Sequence, residues 1–253
     1  MIKKSKTFSI YKNPQLYDDI MWWKKDDIAF FKQIIQKYNV KSVLELCCGT
    51  GRIGIPIIKS NIDYYGIDTS TNFIKFFNTK VQGYKNKNIK KANAKNFNLN
   101  QKFDLIIIGF NSLAHLLKDQ EIQSCFKSVY NHMHENSLFI IDIFMPTNEI
   151  TSNLNAEKID LMDFKDSKNN QVIKIYESNK YNYITEVNTI KWDFYNDKNI
   201  NIYSYKFDMR MLFPDIIHSL LVENKINVNQ FYGDYDSSNF SENSEKQIYL
   251  CKK

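Results

Sequence analysis

The stretch "VLELCCGTGRIGIPI", Val43 to Ile57, concentrates the residues that could do chemistry. Gly49, Gly51 and Gly54 fall close together in a chain with only 7 glycines. Glycine tolerates positive φ and lets a ligand approach the backbone, so such a cluster implies required geometry. From Gly49 the spacing is G-x-G-x-x-G, the pattern that seats a dinucleotide pyrophosphate at a helix N-terminus. A dinucleotide and an adenosyl sulfonium both want an acid at the end of the next strand, to bind ribose hydroxyls. Asp68 in "YYGIDTS" supplies it. Glu45 separates the two readings. A carboxylate just before the turn works against a pyrophosphate. It suits S-adenosylmethionine, which has no phosphate and carries a sulfonium and an α-ammonium group. Glu45 can also act by organising the turn, a role compatible with the same cofactor.

Transfer from a sulfonium is an in-line displacement with a leaving group already activated. The protein mainly has to align nucleophile, methyl and sulfur. A base is needed when the acceptor is a hydroxyl or an ammonium. His115 in "NSLAHLL" follows the end of a strongly apolar strand, the side on which such sheets bind ligands. It is either that base or a packing and capping residue. His132, His134 and His218 fall in expected helices or their ends and read as structural. The four cysteines, Cys47, Cys48, Cys125 and Cys251, make no C-x-x-C, and no metal site is expected.

Strands and helices must position these groups. "DDIAFFKQIIQKY" places Ile28, Phe31, Ile34, Ile35 and Tyr38 on one helical face. "KSVLELC", "DYYGID", "NIKKANA", "FDLIIIGF" (Phe103 to Phe110) and "SLFIIDIF" read as strands. "RIGIPIIKS", "TSTNFIKFFNTKVQ" (capped by Thr69 or Ser70) and "DQEIQSCFKSVYNHM" read as helices between them. This alternation predicts an α/β fold, Rossmann-like and doubly wound, with a mostly parallel sheet. From Val172 to Met211 the pattern changes to polar–apolar alternation rich in Tyr, Ile and Thr, with "YNDKN" as a turn. That predicts an inserted antiparallel sheet. A helix from Pro214 and two closing strands return to the core. The expected organisation is lid helices and cofactor core over 1–150, the inserted sheet over 151–211, and the return over 212–253.

The chain resembles the class I S-adenosylmethionine-dependent methyltransferases, in particular a bacterial small-molecule subgroup similar to sugar N-methyltransferases and glycine N-methyltransferase-like enzymes. The matching stretches are "NPQLYDDIMWWKKDDIAFF", "VLELCCGTGRIGIPI", "YYGIDTS", "FDLIIIGFNSLAHL", "DIFMP", "RMLFPDIIHSLL" and "FYGDYDSSNFSENSEKQIYLCKK", in the family's order. The resemblance implies a seven-stranded sheet. It implies that Glu45, Cys47, Gly49 and Gly51 line the methionine part of the donor. Asp68, with Thr69 beside it, would bind the ribose. Asn93 and Ala94 would flank the adenine, and Phe110 and Asn111 would lie under the methionyl group. Tyr17 would close the site, or would pack the lid together with Trp22 and Trp23. Arg52 would reach the donor carboxylate, or pair with a surface acid. Two letters depart from the pattern. Cys47 replaces the first motif glycine, and Asn93 stands where many relatives carry an acid.

Composition bounds the partners. Hydrophobic residues make up 43% and aromatics 15%, enough for a sizeable core. The formal charge is +6, and the basic stretches "KKSK" and "YKNKNIKKANAK" read as a solvated face more than a nucleic-acid groove. The start shows no apolar signal segment, and runs such as "LIIIGF" are too short to span a bilayer. The expectation is a cytoplasmic monomer or homodimer, off the membrane. It would use S-adenosylmethionine, release S-adenosylhomocysteine, and methylate an O or N atom of a small-molecule acceptor. The acceptor would be a sugar, a nucleotide-linked sugar or a small anionic or amine compound. The alternatives are an RNA or protein methyltransferase of the same fold, or a non-catalytic module that binds S-adenosylmethionine.

Overall fold

The computed structural model describes residues 6, 7, 9–147, 151 and 155–253. Part of the first basic stretch, residues 3–5, and residue 150, the expected end of the core, lie outside the described residues. The chain opens with β1 (Lys6–Thr7), α1 (Pro14–Ile20) and α2 (Asp26–Lys37). Next come β2 (Ser42–Leu46), α3 (Gly54–Lys59), β3 (Asp63–Asp68), α4 (Thr71–Lys80) and β4 (Lys87–Lys91). They are followed by β5 (Phe103–Ile108), α5 (Asp119–Asn131) and β6 (Met133–Phe144). Four long strands succeed them: β7 (Asn155–Lys165), β8 (Val172–Asn182), β9 (Val187–Tyr195) and β10 (Asn201–Arg210). The chain closes with α6 (Pro214–Glu223), β11 (Asn227–Tyr232) and β12 (Lys246–Lys252).

Two compact units result, Lys25–Pro146 with Leu212–Lys253, and Met1–Lys24 with Thr147–Met211. The first is an α/β unit with a seven-stranded sheet in the order β11-β12-β6-β5-β2-β3-β4. Strands β2 to β6 pair in parallel, and β12 runs antiparallel between β6 and β11. Val43, Leu44, Leu105, Ile106, Ile107 and Ile108 are fully buried, as strands covered on both faces require. After β4 the chain crosses to the other side of β2. The switch point therefore lies between β2 and β5, and their carboxyl ends carry the glycine turn and Phe110.

Local details correct the sequence reading. Helix α2 buries Asp27, Phe30, Phe31, Ile34 and Ile35, so its inner face is rotated toward Asp27 and Phe30, and Ile28 is only half-buried. The N-cap of α4 is Ser70, whose hydroxyl accepts the Phe73 N–H at 3.3 Å, and not Thr69. Strand β5 ends at Ile108, not Phe110, because Phe110 (φ 48°) and Asn111 (φ 63°) turn left-handed. His134 lies in β6 rather than a helix end, with Nε2 2.9 Å from Asp104 Oδ1.

The second unit is a five-stranded sheet in the order β1-β10-β9-β8-β7. Strands β7 to β10 form the antiparallel meander, and β1 pairs in parallel with β10. The meander includes β7, which lies within the expected 151–211 and ahead of the alternation that starts at Val172. On one face Phe164, Ile173, Ile175, Phe194 and Tyr205 pack with Ile10, Leu16 and Ile20. Tyr17 is partly buried against this cluster, while Trp22 and Trp23 are exposed.

Candidate functional site

The glycine turn leaves β2 through three left-handed residues: Cys47 (φ 57°), Gly49 (φ 55°) and Gly51 (φ 90°). Only Cys47 bears a side chain in that conformation, which costs a non-glycine residue about 1–2 kcal/mol. The glycines have different jobs. At Gly49 an added Cβ would have ordinary contacts, the nearest at 3.9 Å, so its backbone angle is what needs glycine. At Gly51 a Cβ would fall 2.3 Å from the Phe77 ring. At Gly54 it would fall 2.5 Å from Tyr64. The last two let the turn press onto buried aromatic rings of α4 and β3.

Asp68 ends β3 and fastens two turns. Its Oδ2 accepts the Gly49 N–H at 2.9 Å, and its Oδ1 accepts the Ser70 N–H at 2.7 Å. Each carboxylate oxygen can accept a further bond, so this role is compatible with ribose binding. Burial pushes its pKa up, against the N–H groups that lower it. The Asp68 carbonyl accepts the Ala92 N–H at 3.0 Å, which draws the Asn93–Ala94 segment to the same end of the sheet. Ala94 is buried. Asn93 is exposed, and its Oδ1 accepts the Lys95 N–H at 3.0 Å. Thr69 is exposed.

Glu45 is buried beneath the turn, and Tyr64 Oη donates to its Oε2 at 2.6 Å. Burial raises its pKa to about 8, although the Tyr64 bond and the Arg52 charge pull the other way. Glu45 is therefore largely protonated at neutral pH. In the unfolded chain the group titrates near 4.5, so between pH 4.5 and about 8 the folded state keeps a proton that the unfolded state releases. Stability must then fall as pH rises through that window. Glu45→Gln should flatten this slope in urea titrations at pH 5, 6.5 and 8. A slope equal to that of the wild type would remove Glu45 as its source.

Arg52 is held by an acid, and that acid is buried rather than on the surface. Nη1 and Nη2 donate to Oδ1 and Oδ2 of Asp27, each at 2.7 Å, and Asp27 is fully buried. The guanidinium carbon sits 4.7 Å from the centroid of the Phe110 ring. The left-handed corner at Phe110 and Asn111 is pinned by β6. The Phe110 N–H donates to Asp142 Oδ2 at 2.9 Å, and the Asn111 N–H donates to the Asp142 carbonyl at 3.0 Å. Asn111 Oδ1 accepts the Phe144 N–H at 2.8 Å, so its side chain fastens the strand end. Tyr235 Oη lies 3.0 Å from both Asp142 oxygens.

The α/β unit thus brings Glu45, Cys47, Gly49, Gly51, Arg52, Asp68, Thr69, Phe110 and Asn111 to the carboxyl ends of β2, β3 and β5. His115 is exposed and closes a 3₁₀ turn, Ser112–His115, beyond β5. Tyr17 belongs to the other unit. Tyr64, Asp142 and Tyr235 were not singled out by sequence, and Asp27 reads from sequence only as an acid of the α2 N-terminus, which it is. Among the described residues no group of three or more His, Cys, Asp or Glu side chains is placed to hold a metal. No helix among them is long and apolar enough to cross a membrane.

Residues 44–139, from the glycine-turn strand into β6, match the family model described as a methyltransferase domain. The fold is that of the S-adenosylmethionine-dependent methyltransferases. As a methyltransferase fold it superposes on the CcbJ methyltransferase from Streptomyces caelestis with a TM-score of 0.79. That pair is 15% identical and covers 96% of this chain and 97% of the other. An S-adenosylmethionine-dependent methyltransferase from Clostridium acetobutylicum gives a TM-score of 0.77 at 21% identity, covering 94% and 96%. In sequence the chain is 24% identical over 119 residues to a glycine/sarcosine N-methyltransferase from Parasynechococcus marenigrum, covering 45% of this chain and 41% of the relative. The chain spans less than half the length of the curated relatives it matches.

Proposed function

We propose that the protein transfers a methyl group from S-adenosylmethionine to an O or N atom of a small metabolite. The observation that carries this reading is the match of residues 44–139 to a methyltransferase domain, with Asp68 at the end of β3 bonded to the Gly49 N–H of the turn that follows β2. An acid at the end of the strand that follows the glycine turn suits ribose hydroxyls, which supports this reading. In this reading Cys47, Gly49 and Gly51 border the methionine part, and Glu45 lies beneath it. Thr69 stands beside the ribose, Asn93 and Ala94 flank the adenine, and Phe110 and Asn111 lie under the methionyl group. Arg52 meets the donor carboxylate. His115, beyond the end of β5, serves as the base when the acceptor must lose a proton.

The class of acceptor is supported by the proteins that share this fold. They include a sugar N-methyltransferase from Streptoalloteichus and a glycopeptide N-methyltransferase that binds S-adenosylmethionine. A sugar or small amine is the acceptor we favour, with the protein acting as a monomer or homodimer.

Calorimetry with S-adenosylhomocysteine and with NADH tests the donor. S-adenosylhomocysteine should bind, and Asp68→Ala should weaken it by about 1–3 kcal/mol through lost ribose hydrogen bonds. Binding of NADH without S-adenosylhomocysteine would overturn the reading. An unaltered affinity in Asp68→Ala would remove that residue from the site.

A further inference from the structure

We infer that Asp27 is the positioning residue that presents Arg52 to the donor. This rests on the proposed function, in which Arg52 meets the donor carboxylate. Arginine has a long, rotatable stem, and near a loop its guanidinium would sample many directions. Here it is fixed from two sides. Asp27 takes one N–H from each terminal nitrogen in a fork, and the Phe110 ring lies 4.7 Å from the guanidinium carbon. The main chain that carries the ring is itself held, because the Phe110 N–H is bonded to Asp142. Both supports come from elements outside the glycine turn, Asp27 from α2 and Phe110 from the end of β5.

Asp27 is fully buried, while the Arg52 side chain keeps 16% of its exposure. Burying a carboxylate is costly, and such pairs are often no more stabilising than apolar residues of the same size. The pair is therefore better explained by the direction it gives the guanidinium than by its stability. The planar fork sets the orientation of the remaining guanidinium edge, which a single-point contact would not do. Asp27 touches Arg52 and not the reacting atoms, so its effect on binding should be confined to the part of the donor that Arg52 meets.

Two ligands separate this from a general structural role. S-adenosylhomocysteine carries the amino-acid carboxylate. 5′-Methylthioadenosine keeps the adenosine and the sulfur but lacks that carboxylate. With Asp27→Asn, affinity for S-adenosylhomocysteine should fall roughly tenfold or more, while that for methylthioadenosine should stay within about twofold. Arg52→Lys keeps a cation beside the buried acid, removes the fork, and should give the same selective loss. It also serves as the second variant should Asp27→Asn fold poorly, which thermal melts would show. Equal weakening of both ligands, or of neither, in both variants overturns the inference. Failure of the wild type to bind either ligand would instead overturn the proposed function.

Discussion

Gly51→Ala should lower the unfolding free energy by about 2–5 kcal/mol and abolish donor binding. Two independent costs combine. The backbone at φ 90° is one that side chains rarely adopt. The new Cβ would also fall 2.3–2.7 Å from three ring carbons of Phe77, which is fully buried. Gly49→Ala is the control. It shares the left-handed backbone, but its nearest neighbours lie at 3.9 Å, so its loss should stay near the backbone cost of about 1–2 kcal/mol. Urea titration of both variants measures the difference. In a Phe77→Leu background the Gly51→Ala penalty should shrink, because the steric part has been relieved. A penalty no larger than that of Gly49→Ala would show that the ring contact is unimportant.

Asp142→Ala should have an effect of comparable size, about 2–5 kcal/mol. One carboxylate supports two groups, the Phe110 N–H and the Tyr235 hydroxyl. Its removal takes a buried acceptor from both. It also loosens a corner of two successive left-handed residues that would otherwise relax, and Phe110 is the ring on which Arg52 rests. Donor affinity should therefore fall together with stability. Asp142→Asn keeps a carbonyl acceptor and should lose less. Tyr235→Phe removes one of the two groups, so the double variant with Asp142→Ala should be less damaged than the sum of the single ones. Strict additivity in a denaturant cycle would mean that Tyr235 and Asp142 do not act together.

The sequence made the architecture legible because layered α/β folds write their periodicities into local stretches. Apolar runs such as "LIII" mark buried parallel strands, and the shift to alternation after Val172 marks the antiparallel meander. Asp68 was legible because its place, at the end of the second strand after a glycine turn, follows from topology. Strand β7 fell inside the expected inserted sheet but left no clear strand pattern, since "NAEKIDLMDFK" mixes charges into its alternation. Asp27 was hidden by a register error. It shares a face with Phe30, Phe31 and Ile34 at helical spacing, but Asp26 beside it is the same residue type and suits an exposed first turn equally well. Its partner is 25 residues away, beyond any local pattern. Asp142 did leave a signal, a single acid inside the apolar run "FIIDIF". A charge in a strand buried on both sides implies a specific partner, and its partner Tyr235 lies 93 residues further on.

Cys47 bears on the safety of the proposed methyl transfer. A sulfonium donor is an alkylating agent, and a thiolate is among the strongest nucleophiles a protein can place near one. Desolvation, with the Asp68 charge adding to it, drives the Cys47 thiol far above its ordinary titration range. Cys48 and Cys125 are pushed the same way by burial. The turn thus carries sulfur in its least reactive form, as S–H. In a protein that binds S-adenosylmethionine, this keeps the methyl group for the acceptor and guards the turn against methylating itself.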